Sequence, residues 1–179
     1  KEHPQILDMT RVRRVRIGNV NIISLPGSQR AFYLKAGDQG CAYNKKDLMK
    51  TASLVTERLT NVLLAPSPPR GRGEHAVDRG RGSTNIGNRD LADVLRSKEI
   101  RFGIFGYVNE SGGHATYDDG FTPARPAVWQ ESLFLQSGSA EAYPVSLIGG
   151  GRSVGMAHIV DFSGNRARFR TVSATPDRV

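Results

Sequence analysis

The amino-acid sequence predicts an α+β fold in one domain: an N-terminal β-hairpin, one long and one short helix, then a C-terminal antiparallel β-sheet. Three observations predict it. RVRRVRIGNVNIISL, Arg11 to Leu25, sets two β-rich runs around a Gly-Asn turn. Between Ala36 and Leu64, apolar residues recur at Leu48, Ala52, Val55, Leu59 and Val62, the spacing of one buried helical face. From Ile100 onward almost every apolar run is short, β-rich and bounded by turn residues.

Each element has its own signal. Strands are expected at Val12 to Ile17 and Val20 to Leu25, with Gly18-Asn19 taking the positive φ of a two-residue turn. Pro26-Gly27-Ser28 ends the second run, and Ala31 to Lys35 fits another short strand. Asn44 is placed to cap the long helix, and Asp47 adds negative charge where the helix dipole favours it. APSPPRGRGEHAVDRGRGSTNIG, Ala65 to Gly87, holds three prolines and two Arg-Gly-Arg-Gly units, which predicts a flexible, exposed loop over about 65–87. Asn88 then caps a shorter helix through Glu99, with Leu91, Val94 and Leu95 on one face. Ile100 to Asn109, His114 to Asp118, Val128 to Gln136, Val145 to Ile148, Met156 to Phe162 and Ala167 to Val172 are the expected strands of the sheet, and Ser163-Gly164-Asn165 turns the last hairpin.

The chain of 179 residues is long enough to bury a real core. Twenty-five Lys and Arg against 17 Asp and Glu give a net charge of +8, which favours an anionic partner such as nucleic acid or an acidic protein surface. One cysteine excludes an intramolecular disulfide framework, and with four scattered histidines it points away from a zinc site. No apolar run is long enough to span a bilayer. The opening KEHPQ has no Met and no signal-peptide core, which points to a processed product or an excised domain.

Two groups of residues suggest chemistry. Arg11, Arg13, Arg14 and Arg16 crowd the first strand, and Arg70, Arg72, Arg79 and Arg81 punctuate the Pro/Gly-rich segment. Either could contact a polyanion, and either could simply be a solvated surface. The second group begins with Cys41, the only thiol, a few residues before a helix whose dipole would stabilise a thiolate. Thiol catalysis needs a histidine to take the proton and a third group to orient the imidazole. His114 opens a strand in GGHATYDDG and His158 lies early in GMAHIVDFSGNRARF. His114 is the favoured base, with Glu131 or Gln130 as orienter. His158 with Asp177 is the alternative, and Gln39 is a candidate oxyanion donor. A buried thiol and satisfied strand histidines are the competing structural explanation.

The GGH stretch resembles the Gly-His strand start of NlpC/P60-like peptidases and of amidase effectors. The stretch around His158 is similar to the His-strand, Gly-turn, strand pattern of papain-like toxin and effector domains. Each resemblance covers only the few residues quoted. It implies a papain-like plan and a cysteine-dependent amide hydrolase acting on a protein or peptide, as peptidase, amidase or glutamine deamidase, without a cofactor or metal. It also implies secretion, or delivery into a host or target cell. The other class of function is a non-catalytic basic protein that binds nucleic acid or a macromolecular assembly through its arginines.

Overall fold

The computed structural model describes residues 6–28, 42–117 and 120–174. It is a mixed fold of two helices and mostly strands, and four parallel strands form its centre. The first hairpin pairs β1 (Arg14–Ile17) with β2 (Val20–Ser24), and the Ile17↔Val20 register leaves Gly18-Asn19 as the turn, with Gly18 at φ 58°. Helix α1 (Lys45–Ser53) follows, then β3 (Thr60–Ala65), helix α2 (Arg89–Ser97) and β4 (Phe102–Phe105). Next come β5 (Ala115–Thr116), β6 (Leu133–Gln136), β7 (Val145–Ser146), β8 (Arg152–Ser153), β9 (Met156–Ser163) and β10 (Arg166–Ser173). The six-stranded sheet runs β1-β2-β3-β4-β6-β5, with β2, β3, β4 and β6 parallel and both edge strands antiparallel to their neighbours.

Both caps form as their residues predict. Asn44 Oδ1 accepts from the Lys46 and Asp47 amides while Asp47 Oδ2 accepts from Asn44 N, a closed capping box. Asn88 Oδ1 accepts from Leu91 N at 2.9 Å. The expected long helix, however, stops at Ser53, and Thr60–Ala65 is the second parallel strand of the sheet. The turn between them is fastened by Asn61. Its side chain donates to Thr56 O and Leu59 O, and it accepts from Thr56 N and from the buried Asn21 side chain. Both α-helices among the described residues are nine residues long.

The wholly antiparallel C-terminal sheet is also corrected. Antiparallel pairing holds for β5–β6, β7–β8 and β9–β10, whereas β4 lies parallel to both β3 and β6. The physical reason is burial on both faces. On one face Leu63, Ala65, Phe105 and Phe134 pack with Leu48, Leu91 and Leu95 of the helices. On the other, Val62, Phe102, Leu133 and Leu135 pack with Ala167 and Phe169 of the β9–β10 hairpin. Strands covered twice carry near-continuous apolar runs, the pattern of parallel sheets.

The segment expected to be an exposed loop is packed. Ser67, Ala76, Val77 and Asp78 are buried, and Val77 belongs to the helix-side core. Asp78 is 0% exposed and accepts from Gly87 N and Asn85 Nδ2, each at 2.8 Å. The glycines let backbones touch: a Cβ on Gly73 would sit 2.1 Å from Gly120 O, and one on Gly87 2.3 Å from Pro69 O. The Arg-Gly composition thus serves close approach rather than freedom. The expected strand at Ala31 to Lys35 lies outside the described residues.

A basic cleft and a carboxyl edge as candidate functional sites

Parallel sheets usually gather their reactive groups beyond the carboxyl ends of the strands. Here those ends lead into Leu25-Pro26-Gly27-Ser28, Pro66-Ser67, Gly106-Tyr107-Val108-Asn109 and Ser137. None of these residues is a carboxylate, a histidine or a thiol. Tyr107, at φ 73°, sits in the left-handed region just past β4, a conformation a bulky side chain adopts only where surroundings enforce it. Gln136 holds that exit in place, its Nε2 donating to Gly106 O and Val108 O. Among the described residues, no three His, Cys, Asp or Glu side chains gather as a metal site would require, and no helix is long and apolar enough to cross a membrane.

Of the residues expected to carry thiol chemistry, Cys41, Gln39 and Asp177 lie outside the described residues, as do Asp118 and Asp119. Ala42, the neighbour of Cys41, bridges to Ser28 beyond the end of β2. His114 precedes β5, and its carbonyl accepts from Gln136 N at 2.9 Å. Four strand spacings separate β2 from β5, about 19 Å at 4.8 Å each. The described residues beside Cys41 and those around His114 thus belong to opposite sides of the sheet.

The two histidines differ in their surroundings. The His158 ring is satisfied at both nitrogens: Nε2 donates to Ser137 O at 3.1 Å, which leaves Nδ1 to accept from the Thr171 hydroxyl at 3.2 Å. Burial pushes its pKa below the ordinary 6.5, against the backbone hydrogen bond to Ser137. Thr171 is thus the partner of His158 Nδ1 among the described residues, and Asp177, the expected orienter, lies outside them. His114 Nδ1 is buried with no hydrogen-bond partner among the described residues. Burial also lowers the His114 pKa, opposed by a backbone hydrogen bond to Ala76 and aided by the nearby His75 and Arg79. Glu131, its expected orienter, is exposed and faces Arg166 at 3.7 Å. Gln130, the other candidate, is buried and donates to Arg125 O.

The arginines also separate into two kinds. Arg13 ties the first hairpin to α1, its Nε donating to Ser24 O and its Nη2 to Thr51 Oγ1. Arg11 meets Asp8 at 3.5 Å, Arg16 donates to Gly18 O, and Arg14 is exposed on the outermost strand. A charged edge strand of this kind keeps a sheet from pairing with another chain. Arg79 donates to Glu74 O, and Arg81 pairs with Glu110 at 3.2 Å.

Arg70 and Arg72 instead line a cleft of about 520 Å³, together with Arg96 and Arg101 and two carboxylates, Glu99 and Glu131. The cleft lies between α2 and the 69–77 segment, over the part of the helix-side face that neither helix covers, and Val77, Leu95 and Phe134 form its apolar floor. Arg96 pairs with Asp93 at 2.7 Å. Arg70, Arg72 and Arg101 pair with no carboxylate among the described residues. Sequence reasoning flagged Arg70 and Arg72 but missed Arg96 and Arg101, whose helix-end and strand-start positions gave no sign that they share a mouth. No family model matches the chain, and neither does any curated protein or solved structure.

Proposed function

We propose that this chain is a non-catalytic basic domain that binds an anionic ligand at the cleft between α2 and the 69–77 segment. The observation that carries this function is the set of three exposed arginines, Arg70, Arg72 and Arg101, at one mouth without a carboxylate partner among the described residues. Four arginines against the two glutamates of the lining, Glu99 and Glu131, leave the mouth with an excess of positive charge, and an incoming phosphate or carboxylate offsets it while accepting paired N–H bonds. The apolar floor suits a ligand whose anionic group is joined to a flat or aliphatic body. The net charge of +8 raises the local concentration of any such anion.

A thermal-shift titration with phenyl phosphate tests the proposal, with inorganic phosphate as the control for charge alone. Phenyl phosphate should raise Tm in the wild type, and the Arg70→Ala/Arg72→Ala/Arg101→Ala variant should lose that response. An equal shift in the variant would overturn the assignment.

The competing function is the cysteine-dependent amide hydrolase, with Cys41 as nucleophile, His114 as base, Glu131 as orienter and Gln39 near the oxyanion. Its support is the capped start of α1 at Lys45 and the position of Ala42 at the end of β2. Iodoacetamide at neutral pH separates the two. An activated thiolate alkylates far faster than a free cysteine peptide, whereas the binding proposal expects an ordinary rate.

A further inference from the structure

β10 alternates over its first five residues, Arg166 to Arg170. Ala167 and Phe169 are 0% and 2% exposed and face the sheet, so Arg166, Arg168 and Arg170 project from the opposite, outer face. Successive arginines on such a strand stand about 6.8 Å apart. The register sets Asp161 opposite Arg168, Ile159 opposite Arg170 and Ala157 opposite Val172 on that same face. Ile159 and Val172 are 46% and 50% exposed. Trp129 lies beside Arg168, 38% exposed, with the Arg168 guanidinium 4.7 Å from its ring centroid.

Two of the three arginines have acidic neighbours. Arg168 meets Asp161 at 2.9 Å, and Arg166 meets Glu131 at 3.7 Å with both side chains exposed. Arg170 meets no carboxylate among the described residues. A second copy of a chain with charge +8 is a poor partner for this face, and an acidic globular surface would not explain the tryptophan. A row of cations at a regular interval beside an aromatic ring and exposed aliphatic side chains fits a flexible polyanion with flat apolar groups along it.

We propose that the outer face of the β9–β10 hairpin, carrying Arg166, Arg168, Arg170 and Trp129, binds single-stranded nucleic acid. Backbone phosphates follow the arginine row, and a base stacks at Trp129. This surface adjoins the proposed anion cleft at Glu131, which lines the cleft and faces Arg166, but it shares none of the cleft's arginines and is argued without them.

Trp129 is the only tryptophan in the chain, so its fluorescence reports on this face directly. Oligo(dT) and oligo(U) should each quench it, and the stronger ligand tells DNA from RNA as the source. Arg166→Gln/Arg170→Gln should weaken fluorescence-anisotropy binding of the labelled oligonucleotide by tenfold or more and lower the salt slope by about 1.4, two single-strand phosphate contacts. Trp129→Leu should weaken binding about tenfold with the salt slope unchanged. Arg14→Gln/Arg16→Gln on β1 should change neither. Three results would overturn the proposal: no oligonucleotide binding by the wild type, binding without tryptophan quenching, or equal quenching by polyglutamate. Arg70→Ala/Arg72→Ala/Arg101→Ala should leave oligonucleotide binding intact, so failure of the cleft proposal and failure of this one are separate results.

Discussion

The two halves of the central sheet are closed on the helix side by different means. Over β2, β3 and β4, two capped helices lay down Leu48, Leu91 and Leu95, and the half is held by side-chain burial. Toward β6 and β5 the described residues include no further α-helix, and the 66–88 segment takes its place with backbone against backbone, a buried carboxylate and the buried side chains of Ala76 and Val77. The first half should absorb volume-conserving changes, whereas the second has fixed positions and no slack. Because irregular chain does not fill space as a helix does, the second half also leaves the basic cleft.

The largest test of this contrast is Asp78→Ala. It removes a buried acceptor from two donors, Gly87 N and Asn85 Nδ2, and should cost about 3–5 kcal/mol in urea unfolding. A cost below about 1 kcal/mol would place the segment among ordinary surface loops. Gly73→Ala comes next, because its Cβ would meet the Gly120 carbonyl at 2.1 Å. A loss of about 1–3 kcal/mol is expected, while Gly149→Ala, with nothing within 4 Å, should be near neutral in the same assay. In the helical half, Asn44→Ala opens the capping box and should lower stability by about 1 kcal/mol, leaving the rest of the domain cooperative.

The smallest expected effect is a pH dependence. Burial lowers the pKa of both His114 and His158 from 6.5, so below that value the unfolded chain binds more protons than the folded one. Their contribution is therefore complete above about pH 6.5 and is lost as the pH falls. Tm should decline on acidification through that range, and His158→Gln should flatten the decline. An unchanged slope would assign the acid sensitivity to other groups.

The elements legible in the sequence were those with local signals. Gly18-Asn19 marked the first turn, Asn44 and Asn88 marked both helix starts, and Ser163-Gly164-Asn165 marked the last hairpin. What failed was periodicity across Leu54 to Val62. An apolar run covered on both faces satisfies helical spacing as well as strand spacing, and only its β3 pairing partners decide between them. The packing of 66–88 was hidden for a related reason: its closure depends on Gly120, Pro69 and Asp78, partners that composition does not reveal. Of the basic sites, sequence flagged Arg70 and Arg72 but not Arg96, Arg101 or the β10 arginines, because their neighbours are set by the fold. Arg13 proved to be a tie to Thr51, and Arg168 proved to lie over Trp129.

The β9–β10 hairpin has a consequence for how the chain matures. Its contacts are local, spanning the Gly164-Asn165 turn, so it can form on the microsecond scale by itself. Its docking is not local: the Thr60 hydroxyl donates to Gly164 O across 104 positions, and Phe169 covers a sheet face built from Val62, Phe102 and Leu133. During synthesis, that face remains greasy and open until the ribosome has passed Phe169. For most of its time as a nascent chain, this domain should be a client for whatever shields apolar sheet from water.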